Sequence, residues 1–192
     1  TIMSKQPLLR VAVEELMRHG LGALSVSSLA ERMGLRLDQV GSYFPGGDWQ
    51  LRMDAVEHAG VAWVDEIRAR MRAQGTPQEK IALVCRAYAL GSRDFPASLD
   101  GYLDLWMQAR EGNEEIRTRL GRLYRFYAEQ FADAVAEAGG TGDGPTREAF
   151  AHLVTLLSDM LHLQRMLGNP IEFSQMGRLL DTLAQRVLLE ET

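Results

Sequence analysis

The sequence predicts an all-α protein, and three observations support this fold class. Apolar residues recur at spacings of three and four, which places them on one face of a helix. The alternating runs of valine, isoleucine and threonine that are typical of strands are missing. Residues that favour helix starts and stops stand between the apolar segments, with serine, threonine, asparagine or aspartate before them and glycine after them.

The N-terminal segment contains three predicted helices. The first ends at Gly20, and one of its faces is apolar: Leu9, Ala12, Val13, Leu16 and Met17. A second, short helix begins after Ser25, a favourable N-cap residue, and ends at Gly34. A third short helix is predicted over about residues 37–43.

The rest of the chain continues as helices, to a total of about nine, without internal repeats. Thr76 and Pro77 have the residue types expected for an N-cap and a first helical position. The glycine-rich segment 139–145 is predicted to be a flexible loop. The further helices are predicted over residues 48–72, 77–89, 99–107, 114–135, 146–167 and 174–189.

The second and third helices and the turn at Gly34 form a helix-turn-helix pattern. Glycine permits the left-handed backbone that such a tight corner needs. The residues predicted to face inward are apolar: Leu29, Met33, Leu35, Val40 and Phe44. We therefore expect a helix-turn-helix DNA-binding domain over residues 1–46 and a helical effector-binding and dimerisation domain over residues 47–192.

This pattern resembles the tetracycline-repressor-like (TetR) family of transcription regulators. The first helix resembles the family pattern from Ala12 to Gly20, and the capped second helix resembles it from Ser25 to Ala30. The third part of the pattern is matched at these positions: Gly34, Leu35, Val40, Tyr43, Phe44 and Leu51. The resemblance implies a dimer that binds a palindromic operator, usually as a repressor, and responds to a small effector.

The chain departs from the TetR pattern where the family commonly contacts phosphates. Gly41 replaces an expected aromatic residue, Gly47 replaces a basic one, and Arg36 stands where serine or threonine is usual. Residues 1–51 carry five basic and five acidic side chains, so this segment is neutral. Two interpretations therefore remain: an operator-binding regulator, or a TetR-like co-regulator or antagonist that acts through protein partners with weakened or absent DNA binding.

Under the first interpretation, the side chains predicted to contact double-stranded DNA lie around the third helix. Gln39 could pair with adenine through its amide, while hydroxyls and Arg36 hold the backbone. The predicted contact residues are Ser27, Arg36, Leu37, Gln39, Ser42 and Tyr43.

The last two helices have apolar residues on more than one face, which predicts a four-helix bundle between two subunits. Packing within one subunit is the alternative explanation. The predicted homodimer residues are Phe150, Leu153, Leu157, Leu161, Met176, Leu180 and Leu183.

The middle helices are rich in aromatic residues and methionine, which suit an apolar effector of drug-like size. The resemblance implies an effector cavity among these helices, while a plain hydrophobic core is the alternative. The predicted cavity residues are Trp63, Tyr88, Tyr102, Trp106, Tyr124, Met160 and His162.

No motif of an enzyme is found in the sequence. A phosphate-binding glycine loop, a CxxC, an HExxH and a GxSxG are missing, so we expect no catalytic residue, metal or cofactor. The lone Cys85 and the lack of a long apolar run favour a cytoplasmic protein without a membrane span. The net charge of −5 argues against a general nucleic-acid coat protein.

Overall fold

The structure, a computed structural model, describes residues 4–90, 99–169 and 172–189, with the side chains of 99–102, 162, 165, 166 and 173 left out. Within these ranges the regular structure is entirely helical, which confirms the predicted all-α class. None of the helices described is both long and apolar enough to cross a bilayer. The α-helices in the described ranges are α1 Lys5–His19, α2 Val26–Met33, α3 Leu37–Gly41, α4 Asp48–Arg72, α5 Pro77–Leu90, α6 Leu99–Arg110, α7 Glu114–Glu137, α8 Gly144–Met166 and α9 Phe173–Leu188.

The ends of α2 form as its sequence predicts. The Ser25 hydroxyl accepts a hydrogen bond from the backbone N–H of Ser28 at 3.0 Å, so it caps the helix. Gly34 ends α2 in the left-handed conformation, with φ at 63°. Gly34 thus forms the turn of the helix-turn-helix, as predicted from the sequence.

The start of α5 is also confirmed. The Thr76 hydroxyl accepts from the Glu79 N–H at 3.2 Å, and the Glu79 carboxylate accepts from the Thr76 N–H at 2.9 Å. The Thr76 N–H and the Thr76 hydroxyl both donate to the Glu79 carboxylate, and these two bonds hold the pKa of Glu79 below its usual range.

Helix α3 is shorter than predicted, since it ends at Gly41 rather than at about residue 43. The Ser42 hydroxyl donates to the Gln39 carbonyl at 2.7 Å and so takes up a carbonyl at the end of the helix. Glycine also has a low helix propensity. The chain then turns to bring Phe44 into the core, where it is 1% exposed.

The chain divides into two compact units. The first comprises residues 1–62 and 93–121, and the second comprises residues 63–92 and 122–192. This division does not coincide with the boundary expected near residue 46, because Leu51 of α4 is buried in the same core as α1, α2 and α3. The assignment of functional domains stays a prediction.

An ion cluster joins three helices of the first unit. Asp54 of α4 accepts from Arg119 of α7 and lies 2.5 Å from the Lys5 ammonium of α1. Arg119 also donates to Glu57, with Nε 3.0 Å from the carboxylate. Burial would lower the pKa of Arg119, but the two carboxylates outweigh it and raise that pKa. The nearly buried guanidinium is therefore charged and paired.

The segment between α7 and α8 is more constrained than its glycine content predicts. The Thr141 N–H donates to the Leu188 carbonyl of α9 at 2.8 Å. A side chain at Gly140 would lie 2.6 Å from a methyl of Val135, so the backbone approaches α7 closely there. Asp143 accepts from the Thr146 N–H at 2.7 Å and caps α8, which begins two residues before the predicted start.

Candidate nucleic-acid interface and effector site

Helix α3 has a buried side and an exposed side. Val40 on the buried side is 1% exposed and packs in the core of the first unit. Four consecutive residues at the start of the helix are exposed, and we call them the reading surface: Arg36, Leu37, Asp38 and Gln39. The leucine of this surface has 58% of its area exposed. A large apolar side chain is thus presented to solvent beside three polar ones.

Arg36 and Asp38 form an ion pair on the reading surface. The guanidinium Nε donates to Oδ1 at 3.0 Å, and Nη2 donates to Oδ2. The hydrogen bond from Arg36 holds the pKa of the Asp38 carboxyl below its usual range. The same pair raises the pKa of Arg36. Both groups are therefore charged at neutral pH, and their charges cancel locally.

Gln39 has a structural role that the sequence analysis did not predict. Its Oε1 accepts a hydrogen bond from the backbone N–H of Arg36 at 3.0 Å and so caps the N-terminus of α3. A bidentate contact to adenine needs both the oxygen and the nitrogen of the amide. The bidentate contact predicted for Gln39 thus competes with the cap.

The three predicted hydroxyl contacts lie in different surroundings. Ser27 is exposed on α2, with its hydroxyl 3.0 Å from that of Ser25. Ser42 is exposed but donates to the Gln39 carbonyl. Tyr43 is half-buried and packs against the core of the first unit. Their contact with DNA stays a prediction.

Two other cations near the helix-turn-helix, Lys5 and Arg32, also have carboxylate partners. Arg32 of α2 is paired with Glu15 of α1. Lys5 is paired with Asp54, and its ammonium lies 4.7 Å from the centre of the Phe44 ring. Two ion pairs, Arg32 with Glu15 and Arg36 with Asp38, thus lie within residues 1–51, and Lys5 is paired with a carboxylate outside that segment.

The two glycines that depart from the TetR pattern differ in conformation. Gly41 lies in α3, and a side chain added there meets no atom within 4 Å. Gly47 has φ at 75°, where residues with a side chain are strained, although the space around it is open. The left-handed backbone at position 47 thus explains why glycine is favoured there over a basic residue.

Two of the predicted cavity residues meet in an aromatic cluster of the second unit. The ring centres of Trp63 and Tyr88 are 4.9 Å apart. Tyr127 lies edge-on to Trp63 at 5.6 Å, and Phe131 lies edge-on to Tyr88 at 5.3 Å. We call these four residues the aromatic cluster. Tyr127 and Phe131 were not predicted as site residues, although they lie on the same face of α7 as Tyr124 by their spacing of three and four.

Two polar groups beside this core are buried without a hydrogen-bond partner among the described residues: the Tyr88 hydroxyl and the Nε of Arg68. Burial raises the pKa of Tyr88 well above its usual range, and the charge of Arg68 partly offsets this. Buried polar groups are usually hydrogen-bonded. These two atoms are therefore suited to bind polar atoms of a ligand.

The other predicted cavity residues lie in different surroundings or outside the described residues. Tyr124 donates to Asp159 at 2.8 Å, so its hydroxyl has a protein partner. Met160 is 50% exposed on α8 and does not line a core. Trp106 belongs to the first unit, whereas Trp63 and Tyr88 belong to the second. The side chains of Tyr102 and His162 lie outside the described residues.

The predicted dimer residues separate into buried and exposed groups. Phe150, Leu161 and Leu180 are at most 5% exposed, so they differ from the prediction. Phe150 and Leu180 pack in the core of the second unit, and Leu157 packs against that core. Leu153 and Leu183 are 49% and 37% exposed, and Met176 is partly exposed. Periodicity alone does not assign the outward face, because both helices carry apolar residues on several faces.

A row of exposed apolar residues runs along both α8 and α9. Their spacing of three or four along each helix gives one outward-facing stripe per helix. We call this set the apolar face: Leu153, Leu156 and Met160 on α8, and Leu179, Leu183 and Val187 on α9. Four of these six residues were not predicted as dimer residues: Leu156, Met160, Leu179 and Val187.

Comparison with known proteins identifies the fold. No family model matches the sequence, and no curated protein matches it. Among solved structures, a TetR-family transcriptional regulator from Cytophaga hutchinsonii is 14% identical, with a TM-score of 0.68 over 97% of this chain and 96% of that one. A transcriptional regulator from Saccharomonospora viridis in complex with choline is 16% identical, with a TM-score of 0.65 over 97% and 98% of the two chains.

A third similar structure is the regulator FadR from Bacillus subtilis in complex with stearoyl-CoA. It is 16% identical, with a TM-score of 0.62 over 94% of this chain and 97% of that one. The resemblance inferred from the residues around Gly34 is confirmed at the level of the fold, along almost the whole length of each of these chains. The protein therefore has the fold of TetR-family transcriptional regulators.

Proposed function

We propose that this protein is a ligand-responsive transcriptional regulator, a repressor, that binds a palindromic operator as a homodimer. The observation that carries the proposal is the reading surface, which α3 holds outward while Val40 anchors the helix in the core. The N-terminal residues of a recognition helix are those that reach base edges in the major groove. Arg36, Leu37 and Gln39 are at or near that end of α3.

The apolar face supports the dimer. Its six large side chains are between 36% and 62% exposed on two neighbouring helices of one unit. An exposed apolar patch of this kind on a globular chain is typical of a protein interface. A second copy would bury it in a four-helix bundle, and a two-fold pair of α3 helices then matches two half-sites about one helical turn apart.

The aromatic cluster supports an effector site in the second unit. Its rings suit an apolar molecule, and the Tyr88 hydroxyl and Arg68 Nε suit a polar group on the same molecule. Two proteins with the same fold are described in complex with choline and with stearoyl-CoA. We propose a small, mainly apolar effector that separates these rings when it binds.

Helix α4 is the element through which the effector would act. Leu51 near its start is buried in the core of the first unit, and Ile67 near its end is buried in that of the second. An effector that prefers one packing of the second core would shift α4 and thereby the spacing of the two reading surfaces. Such coupling is typically about 1–3 kcal/mol, or 5- to 150-fold in operator affinity.

Selection of bound fragments from a random duplex library by the purified protein tests the proposal. We expect enrichment of a palindrome whose half-sites are about 10 base pairs apart. A variant with Leu37→Glu should enrich nothing, because the added carboxylate would repel DNA from an exposed position. Failure of the wild-type protein to enrich any duplex at low salt would contradict operator binding.

The second candidate function is a co-regulator or antagonist that acts through protein partners. It is favoured by the carboxylate partners of Lys5, Arg32 and Arg36, which reduce the attraction of the first unit for phosphates. Under this function, we expect the selection to enrich no duplex, although the protein is folded and dimeric. The library selection therefore separates the two functions.

A further inference from the structure

We propose that Arg36, held in place by Asp38, binds the edge of a guanine base and makes that guanine a specificity determinant of each operator half-site. This inference rests on the proposed DNA binding and adds the identity of a base to it. It concerns two residues of this chain, one of which stands where the TetR pattern has serine or threonine.

The ion pair uses only one edge of the guanidinium. Nε and Nη2 donate side by side to the two carboxylate oxygens of Asp38, with Nε 3.0 Å from Oδ1. A guanidinium has five N–H donors, so the other edge, formed by Nη1 and the second hydrogen of Nη2, remains available. Two parallel donors on that edge match the O6 and N7 acceptors of guanine.

The pair is presented at the correct end of α3. Arg36 is the N-cap residue of the helix, and its side chain is 77% exposed, compared with 63% for Asp38. The Arg36 backbone is fixed as well, because its N–H donates to Gln39 Oε1. Asp38 thus limits the conformations of a long side chain before DNA arrives, which reduces the entropy lost on binding.

The carboxylate favours a base over a phosphate as the partner of Arg36. A phosphate beside the guanidinium would lie near the negative charge of Asp38 and would be repelled. The guanine edge carries no net charge, so Arg36 can bind it without losing Asp38. Asp38 is therefore a positioning residue, and Arg36 is the residue that contacts the base.

The test uses a duplex enriched by the full-length protein, in which each guanine is replaced in turn by 7-deazaguanine, which lacks the N7 acceptor. At one guanine per half-site, we expect wild-type affinity to fall roughly 5- to 150-fold. Arg36→Gln should bind both duplexes equally, since it has neither the charge nor the planar fork of arginine. Arg36→Lys should show a smaller difference than the wild type, because an ammonium can donate to guanine but lacks the fixed fork geometry. Thermal unfolding confirms that these exposed substitutions leave the fold intact.

The positioning role is tested by Asp38→Asn, with Glu31→Gln as its control. Both remove one negative charge, but Glu31 is an exposed residue of α2 and is not the partner of Arg36. We expect Asp38→Asn to lose several-fold of the guanine preference and Glu31→Gln to keep it. Tighter binding by Asp38→Asn with an unchanged preference would overturn the positioning role.

The outcomes also separate this inference from the proposed function. An enriched duplex whose binding never depends on both guanine N7 and Arg36 overturns the inference and leaves operator binding in place. The absence of any enriched duplex overturns both.

Discussion

The carboxylate of Asp48 accepts a hydrogen bond from the backbone N–H of Val26 at 2.8 Å, across 22 residues of sequence. Asp48 is the first residue of α4, and Val26 is the first of α2. The first N–H groups of a helix have no partner within it. The carboxylate at the start of α4 therefore supplies the acceptor that the first N–H of α2 lacks. This contact fixes α2 to α4 in the first unit.

Asp48→Ala should lower the free energy of unfolding by about 1–2 kcal/mol, because it leaves the Val26 N–H without its acceptor. Asp48→Asn keeps a side-chain oxygen and should lose less. Urea unfolding followed by circular dichroism at pH 7 measures both. Equal stability of Asp48→Ala and the wild type would show that water replaces this acceptor without cost.

Gly41→Tyr and Gly47→Lys should differ in stability, although both restore residues of the TetR pattern. A side chain at Gly41 meets open space, and helix propensity should make this variant as stable as the wild type or more stable. Lysine at position 47 must adopt φ near 75° and should cost about 1–2 kcal/mol.

The same two variants also test DNA binding. Under the proposed function, Gly47→Lys should increase the salt dependence of operator binding by about one phosphate contact. Gly41→Tyr should increase affinity with little change in the salt dependence. Filter binding between 50 and 200 mM salt, a range of about fourfold, measures these slopes. Identical slopes for Gly47→Lys and the wild type would contradict a phosphate contact at position 47.

Leu156→Glu should convert the proposed dimer into monomers without unfolding the subunit, because this leucine of the apolar face is 62% exposed. Val61→Glu is the control, since Val61 is 51% exposed on α4 and lies outside the apolar face. Light scattering coupled to size-exclusion chromatography gives the masses. A dimer that survives Leu156→Glu would exclude the centre of this face as the interface.

Tyr88→Phe and Tyr124→Phe should have opposite effects on stability. The Tyr88 hydroxyl is buried without a hydrogen-bond partner among the described residues, so its removal should leave stability unchanged or raise it by about 1 kcal/mol. The Tyr124 hydroxyl donates to Asp159 at 2.8 Å, and its removal should cost about 1 kcal/mol. Urea unfolding of the effector-free protein measures both, and a marked loss in Tyr88→Phe would reveal an essential bond.

Cys85 should react with alkylating reagents only when the protein unfolds. Burial raises the pKa of the Cys85 thiol to about 12, so the thiolate is scarce in the folded state. The unfolded thiol ionises at about pH 8.5. Because the folded pKa is the higher one, the contribution of this thiol to stability is complete below pH 8.5 and declines as the pH rises above it.

Labelling rates in native buffer and in urea, at pH 7 and pH 9, check this prediction. The folded protein should be labelled far more slowly than the urea-unfolded protein at both pH values. Cys85→Ala should show a smaller loss of stability between pH 8 and pH 10, a span of about two units around the free-thiol pKa. Rapid labelling of the folded protein would show that the core around α5 opens readily.

Local signals in the sequence predicted the helices well, because caps depend on neighbouring residues. Ser25, Gly34 and Thr76 each make the contact that their residue type favours. The outward face of α8 could not be predicted in the same way. Phe150 and Leu153 are both apolar and one turn apart, but Phe150 packs on Phe131 of α7 in the core of the second unit, whereas Leu153 is 49% exposed.

The reading surface shows a further limit. The sequence indicates that residues 36–39 are polar or exposed, but it does not show that Arg36 binds Asp38 or that Gln39 caps α3. Those contacts depend on rotamers that α3 adopts once Val40 is anchored. The glycine-rich segment 139–145 is similar, since its contact with Leu188 depends on where α9 ends.

The ion pairs of Lys5, Arg32 and Arg36 have a consequence for how such a regulator would be distributed in a cell. Attraction to arbitrary duplex comes mainly from unpaired cations that release counterions from the phosphates. A chromosome offers a vast excess of irrelevant sequence. Under the proposed function, the pairing of these three cations would weaken that non-specific attraction and leave a larger share of the molecules free to find the operator.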